Sequence, residues 1–148
     1  MRIETTRLEI ATDEGTSVAD VTADVNEFVR STGILDGLCV MMVARQECFL
    51  SLAPELDEAF DDLIRLVQEA GDADTRTARE PAESDRADVD TTGNAAPGVL
   101  AESVSFAIRD GAPDLGSWEA IVLIDAEGPA RRAIELTVMG SSRSSTKT

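Results

Sequence analysis

The chain contains no histidine and no tyrosine. Histidine is the side chain that titrates near neutral pH, and it is the commonest metal ligand. Its absence excludes imidazole-based proton transfer and every histidine-built metal site. Four phenylalanines and one tryptophan are the whole aromatic complement, so the core must be built from Val, Leu, Ile and Ala. Two cysteines, Cys39 and Cys48, are too few for a disulfide framework or a cysteine zinc site. Both lie in apolar runs and read as buried thiols. Lysine is nearly missing: Lys147 stands alone beside 12 arginines, against 29 acidic residues, for a net charge of −16. That charge repels phosphates and anionic lipid, which excludes nucleic acid and membrane surfaces as partners. No apolar run approaches the ~18 residues of a membrane span. The opening MRIETTRLEI has no apolar core of a signal peptide, which points to the cytoplasm.

What is present is a single domain over residues 1–140 with a polar, disordered tail at 141–148. The apolar content, 43%, is ordinary. RIETTRLEIAT (2–12) alternates as a strand, and TSVADV (16–21) is expected to pair back on it as a hairpin. Thr22 reads as a helix N-cap, with Ser17-x-x-Asp20 a rival capping box. Val25, Phe28, Val29 and Thr32 share the helical face, and Gly33 is the stop. Strands follow at Leu35–Val43, with Asp36-Gly37 a turn or kink, and at Glu47–Leu52. Pro54 opens an amphipathic helix whose face is Leu56, Ala59, Phe60, Leu63, Ile64 and Val67, ending at Gly71. Residues 72–92 hold one large aliphatic, Val89, and read as a long acidic loop. A short helix at Ala95–Ser103 and strands at Ser103–Arg109, Trp118–Asp125 and Arg132–Met139 complete the chain. Seven or eight strands and three helices without βαβ alternation predict an α+β fold with a largely antiparallel sheet.

Three passages resemble a known family in order and spacing. These are VTADVNEFVRSTGILDGLCVMMV, GNAAPGVLAES and LGSWEAIVLIDAEGPARRAIELTVMG. In the last, Leu115, Gly116, Trp118, Ile121, Gly128, Pro129, Arg132 and Gly140 fall in register. The family is the YjbQ-like family, small proteins for which a secondary thiamine-phosphate synthase activity has been proposed. The resemblance implies a corner-like antiparallel sheet or sandwich filled by about three short helices. It also implies a homotrimer with pockets at subunit boundaries. The family's histidines are replaced by Ala44 and Gly98, and 72–92 supplies none. Leu52 and Ala53 stand for its Asn-Glu, Thr92 for its aspartate, and Glu119 for its glutamine. The segment Ala44-Arg45-Gln46-Glu47 sits where the family's pocket begins.

Two sets of residues could re-equip that pocket. Glu47, Cys48 and Glu119 are the catalytic candidates, as bases or nucleophile. Arg45, Asn94, Trp118, Arg131 and Arg132 are the ligand-binding candidates, the arginines for a small anion. Each has a simpler reading. Arg45 and Glu47 make an ion pair inside a subunit interface, Cys48 is a buried thiol, Trp118 is a core or interface aromatic, and Arg131-Arg132 is solvated. No metal and no cofactor are expected. Three functions stand open. One is a non-catalytic trimeric scaffold or regulatory subunit, alone or mixed with a histidine-bearing relative. Another is an enzyme with a re-tooled Arg/Glu/Cys pocket acting on a small phosphorylated substrate. The last is residual thiamine-phosphate synthase activity.

The acidity itself reads as a solubility device or as adaptation to a high-salt cytoplasm, where screening removes self-repulsion. Near-absence of lysine favours the halophilic reading. The melting temperature should therefore rise markedly from dilute buffer to molar KCl, and more than for a charge-balanced protein. A flat response in calorimetry would reject that reading.

Overall fold

The computed structural model describes residues 1–43, 47–79, 101–117 and 119–142, with 71–79 described by their backbone alone. The strands are β1 (Arg2–Ala11), β2 (Gly15–Asp20), β3 (Asp36–Val43), β4 (Cys48–Pro54), β5 (Ser103–Arg109), β6 (Ala112–Pro113), β7 (Glu119–Gly128) and β8 (Arg131–Ser141). The helices are α1 (Thr22–Thr32) and α2 (Asp57–Arg79). They form a five-stranded sheet in the order β1-β8-β3-β5-β6 and a three-stranded sheet in the order β2-β7-β4. All pairings are antiparallel. The fold is α+β, as the sequence predicts, with two helices among the described residues.

Burial explains why these segments are strands. In β8, Ile134, Leu136 and Val138 are fully buried, while Glu135 between them is exposed and Thr137 half-buried. That is the period-two pattern of a sheet with one face on the core. β7 is different: Ala120 through Asp125 are all buried. It is the central strand of the three-stranded sheet, and it is covered on both faces. On one side Ile121 and Leu123 meet the five-stranded sheet and the α1 residues Val25 and Val29 in the main core. On the other, Val122 and Ile124 meet Leu63 and Val67 of α2.

Several expectations need correction. β2 does not form a hairpin with β1; residues 12–14 carry the chain to the other sheet, where β2 pairs with β7. There it can bury Val18 against α2's cluster and Ala19 against the main core. Thr22 is the first residue of α1 rather than its cap. Its amide donates to Asp20 Oδ1 (2.9 Å), and its hydroxyl donates to the same oxygen while accepting from the Ile121 amide (2.9 Å). β7 thus recruits the hydroxyl, and Asp20 serves the helix start. Ser17 is a β2 residue whose buried hydroxyl makes no hydrogen bond. Gly33, with φ 73°, does end α1.

Pro54 closes β4 instead of opening α2, which starts at Asp57 and leaves Leu56 58% exposed. Gly71 does not end α2, whose backbone continues to Arg79 into the segment expected to be loop. A helical glycine is disfavoured by only ~1 kcal/mol, which Ala73, Ala78 and the arginines around them can offset. The rest of the acidic segment, the expected helix from Ala95 and the tail beyond 142 lie outside the described residues, although Ser141 still belongs to β8. The last helix's expected end, Ala101–Glu102, is not helical.

Asp36-Gly37 belongs to β3, and Gly37 lies directly opposite Gly140 of β8. A Cβ on Gly37 would stand 2.1 Å from the Met139 carbonyl oxygen, and one on Gly140 2.1 Å from that of Asp36. These are backbone atoms and cannot swing away, so the strands approach only because both residues are glycine. Gly37→Ala and Gly140→Ala should each destabilise the fold by about 1–3 kcal/mol in urea denaturation. Unchanged midpoints would mean the strands separate freely at that point.

Candidate functional site

At one corner the chain passes between the sheets from β1 to β2 (residues 12–14), from β3 to β4 (entering β4 through Glu47) and from β7 to β8 (residues 129–130). Such crossings leave the sheet ladders and strand backbone groups that need other partners. Here the first crossing bonds to the third, and Glu47 of the second bonds to β7. The Thr12 amide donates to the Ala130 carbonyl (2.8 Å), and the Ala126 amide donates to the Glu47 carbonyl (2.8 Å). Glu47, where the interruption of the two apolar strands ends, therefore lies between a strand of one sheet and a strand of the other.

Inside this corner lies a buried ion pair. Asp125 is fully buried and Arg132 is 7% exposed. Arg132 Nε donates to Asp125 Oδ2 (2.8 Å) and Nη2 to Oδ1 (3.1 Å), a two-point clamp. The Thr12 hydroxyl donates to Oδ2 (2.7 Å), and the Glu127 amide donates to Oδ1 (2.9 Å). The same hydroxyl accepts from the Ala130 amide (3.1 Å). Burial alone would raise the Asp125 pKa. The hydrogen bonds from Arg132, Thr12 and Glu127, with the charge of Arg132, outweigh it and hold the carboxyl below its ordinary value. The hydrogen bond to Asp125 likewise raises Arg132 against its own desolvation. Glu47, about a third exposed, brings Oε1 to 3.7 Å from Arg132 Nη1. Cys48 is fully buried and lies beside Asp125 in the sheet register.

Glu47, Cys48 and Arg132 are thus brought together. Arg131 is not with them: it faces the opposite side of β8 and pairs with Glu9 (3.0 Å), exposed. Nor is Glu119, which pairs with Pro54 at the far end of β7. It is six strand positions, or ~20 Å, from Asp125, and its carboxylate accepts from the Gly116 amide (2.8 Å). Arg45, Asn94 and Trp118 lie outside the described residues. The expectation that Arg131-Arg132 is solvated as a unit fails for Arg132, because neighbouring strand residues point to opposite faces. Asp125 and Thr12 are the site residues that sequence reasoning missed. A signal for the pair existed: Arg132 continues the even-numbered face of Ile134, Leu136 and Val138, and an arginine there needs a buried acid. Cys39 stands apart in the core, its thiol pushed up to about 12 by burial, and is inert. Among the described residues, no three Cys, Asp or Glu side chains are grouped to hold a metal ion, and no helix is long and apolar enough to cross a membrane.

Because the folded pKa of Asp125 is lowered, the unfolded chain binds its proton first. The pair's contribution is present above the unfolded value, about pH 4, and is lost as the pH falls through the folded one. Asp125→Asn should flatten that part of the acid-unfolding curve. Arg132→Met should lower stability by about 3–5 kcal/mol, because it leaves a buried carboxylate without its cation. Asp125→Leu combined with Arg132→Met should regain much of that loss. A double variant as unstable as the sum of the singles would show that the pair is not the interacting unit.

The fold and this corner can be set beside known proteins. A family model described as UPF0047 protein YjbQ-like matches residues 6–141. Solved structures share the fold. A YbjQ-like protein of unknown function from Sulfolobus solfataricus P2 superposes with a TM-score of 0.72 at 20% identity, covering 95% of this chain and 99% of its own. A hypothetical protein from Aeropyrum pernix K1 gives 0.71 at 21% identity, covering 93% and 99%. An uncharacterized yjbq/upf0047 family protein from Clostridium acetobutylicum gives 0.66 at 18% identity, covering 90% and 99%. No curated protein matches. With the family model spanning nearly the whole domain, the chain belongs to the UPF0047 YjbQ-like family.

Proposed function

We propose that this chain is a non-catalytic, oligomeric member of its family, a structural or regulatory subunit of a homotrimer suited to a high-salt cytoplasm. The observation that carries this reading is the engagement of Arg132. Its guanidinium is clamped on Asp125 inside the corner. Releasing it to hold a substrate would strand a buried carboxylate, at about 3–5 kcal/mol. The other candidates support the same reading. Glu119 closes its own turn, Arg131 pairs on the surface, and Cys48 is fully buried. With no histidine in the chain, the proton-transfer group most often used at neutral pH is also missing.

The adjacency of Glu47, Cys48 and Arg132 favours one second reading, a re-tooled pocket for a small phosphorylated substrate. The two readings separate in one set of measurements. For the non-catalytic subunit, light scattering in molar salt gives the mass of three chains. Thiamine-phosphate synthase turnover stays at the no-enzyme blank, elemental analysis after mild chelation shows no stoichiometric transition metal, and added phosphate leaves the melting temperature unchanged. A phosphate-dependent rise that Glu47→Gln alters would support the re-tooled pocket. Synthase turnover above the blank would return the chain to the synthase reading. A monomer at micromolar concentration would remove the oligomeric part of the proposal.

A further inference from the structure

The main core uses one face of the five-stranded sheet; the strand registers define the other. Ile3, Met139, Leu38 and Ala107 stand in one row across β1, β8, β3 and β5. The next row is Thr5, Thr137, Val40 and Ser105, uncharged throughout, and Met42 lies one row further on. Ile3 is 63% exposed, Met42 55% and Leu38 40%. A solvated face of an antiparallel sheet is ordinarily polar, so a contiguous apolar band at its centre calls for a covering surface. Of the two helices, α2 packs on the three-stranded sheet and α1 lies within the main core. No described helix covers this band.

Charge says what the covering surface can be. The strand residues of this face include three arginines, Arg7, Arg109 and Arg131, and three carboxylates, Glu9, Asp36 and Glu135. These strand residues therefore balance, with one further carboxylate, Asp114, bonded to Arg109 at the edge (2.8 Å), although the whole chain carries −16. The face's opposite charges also alternate: Arg7 stands opposite Glu135, and Arg131 is bonded to Glu9. Two copies of so acidic a chain repel each other almost everywhere else. On this face they do not, and its mixed charges can pair across an interface around an apolar centre.

We propose that the open face of the five-stranded sheet, centred on Leu38, Val40 and Met42, is the surface through which copies of this chain associate. This rests on the oligomeric reading above and names its interface. The test compares wild type with Leu38→Glu/Met42→Glu by light scattering in molar KCl, with circular dichroism to confirm that both remain folded. Leu56→Glu, an equally exposed apolar position ahead of α2, serves as the control. The expected result is an oligomer for wild type and for the control, and a folded monomer for the double variant. An oligomer of undiminished mass in the double variant overturns the face assignment while leaving the oligomeric reading intact. A monomeric wild type overturns both. Should the double variant fail to fold, Met42→Lys alone, at a more exposed site, should weaken association by at least tenfold in dilution, and no weakening overturns the proposal.

Discussion

The Asp125–Arg132 pair sits where three crossings between two sheets meet. Each crossing interrupts a regular ladder, and polar groups of the crossings bond to one another and to the ends of β7 and β8. Thr12 comes from the first crossing, Glu47 from the second, and Asp125 and Arg132 flank the third. A carboxylate with no solvent exposure would be untenable alone. Here it receives four hydrogen bonds, two from the guanidinium, one from a hydroxyl and one from a backbone amide. The pair adds geometry more than net energy, since an apolar replacement of both partners is often tolerated. It ties the end of β7 to the start of β8 across the corner. Gly128 shows how tight that corner is: a Cβ there would lie 2.0 Å from the Asp13 carbonyl oxygen.

This use of polar side chains bears on function. A binding site needs groups that can exchange a protein partner for a ligand at little penalty. Arg132 is the opposite case, with its strong donors already engaged on a buried acid. Exposed pairs such as Arg131–Glu9 and Arg109–Asp114 are free to exchange but stabilise weakly, by about 0–1 kcal/mol each, and they lie on open surface. This supports the proposed non-catalytic reading, under which copies of the chain meet through the sheet face rather than the corner. In a strongly acidic protein the neutral places matter, because screening by salt acts evenly while attraction remains local.

Much of this was legible in the sequence. Seven of the eight strands, most of their bounds, the α+β class and the Gly33 stop followed from alternation, helical spacing and turn chemistry, which are properties of neighbouring residues; the two-residue β6 (Ala112–Pro113) carries no such pattern. The ends of α2 were less legible because their signals conflict. Pro54 suits a helix start as well as a strand end, and Gly71 is disfavoured within a helix without being forbidden.

The sequence by itself determined the exclusions, the charge and the family resemblance: no imidazole, almost no lysine, and the spacing from Leu115 to Gly140. The tertiary structure alone decided that β2 joins β7 rather than β1, and that Arg131 and Arg132 serve opposite faces. It also decided that Glu119 stands ~20 Å from the corner it was expected to share, and that Thr12 meets Asp125 across 113 positions of sequence. The physical reason is the same in each case. Local pattern tells a residue which kind of element it joins, but a buried charge is stable only beside a partner. Which partner it finds is settled by how the two sheets pack.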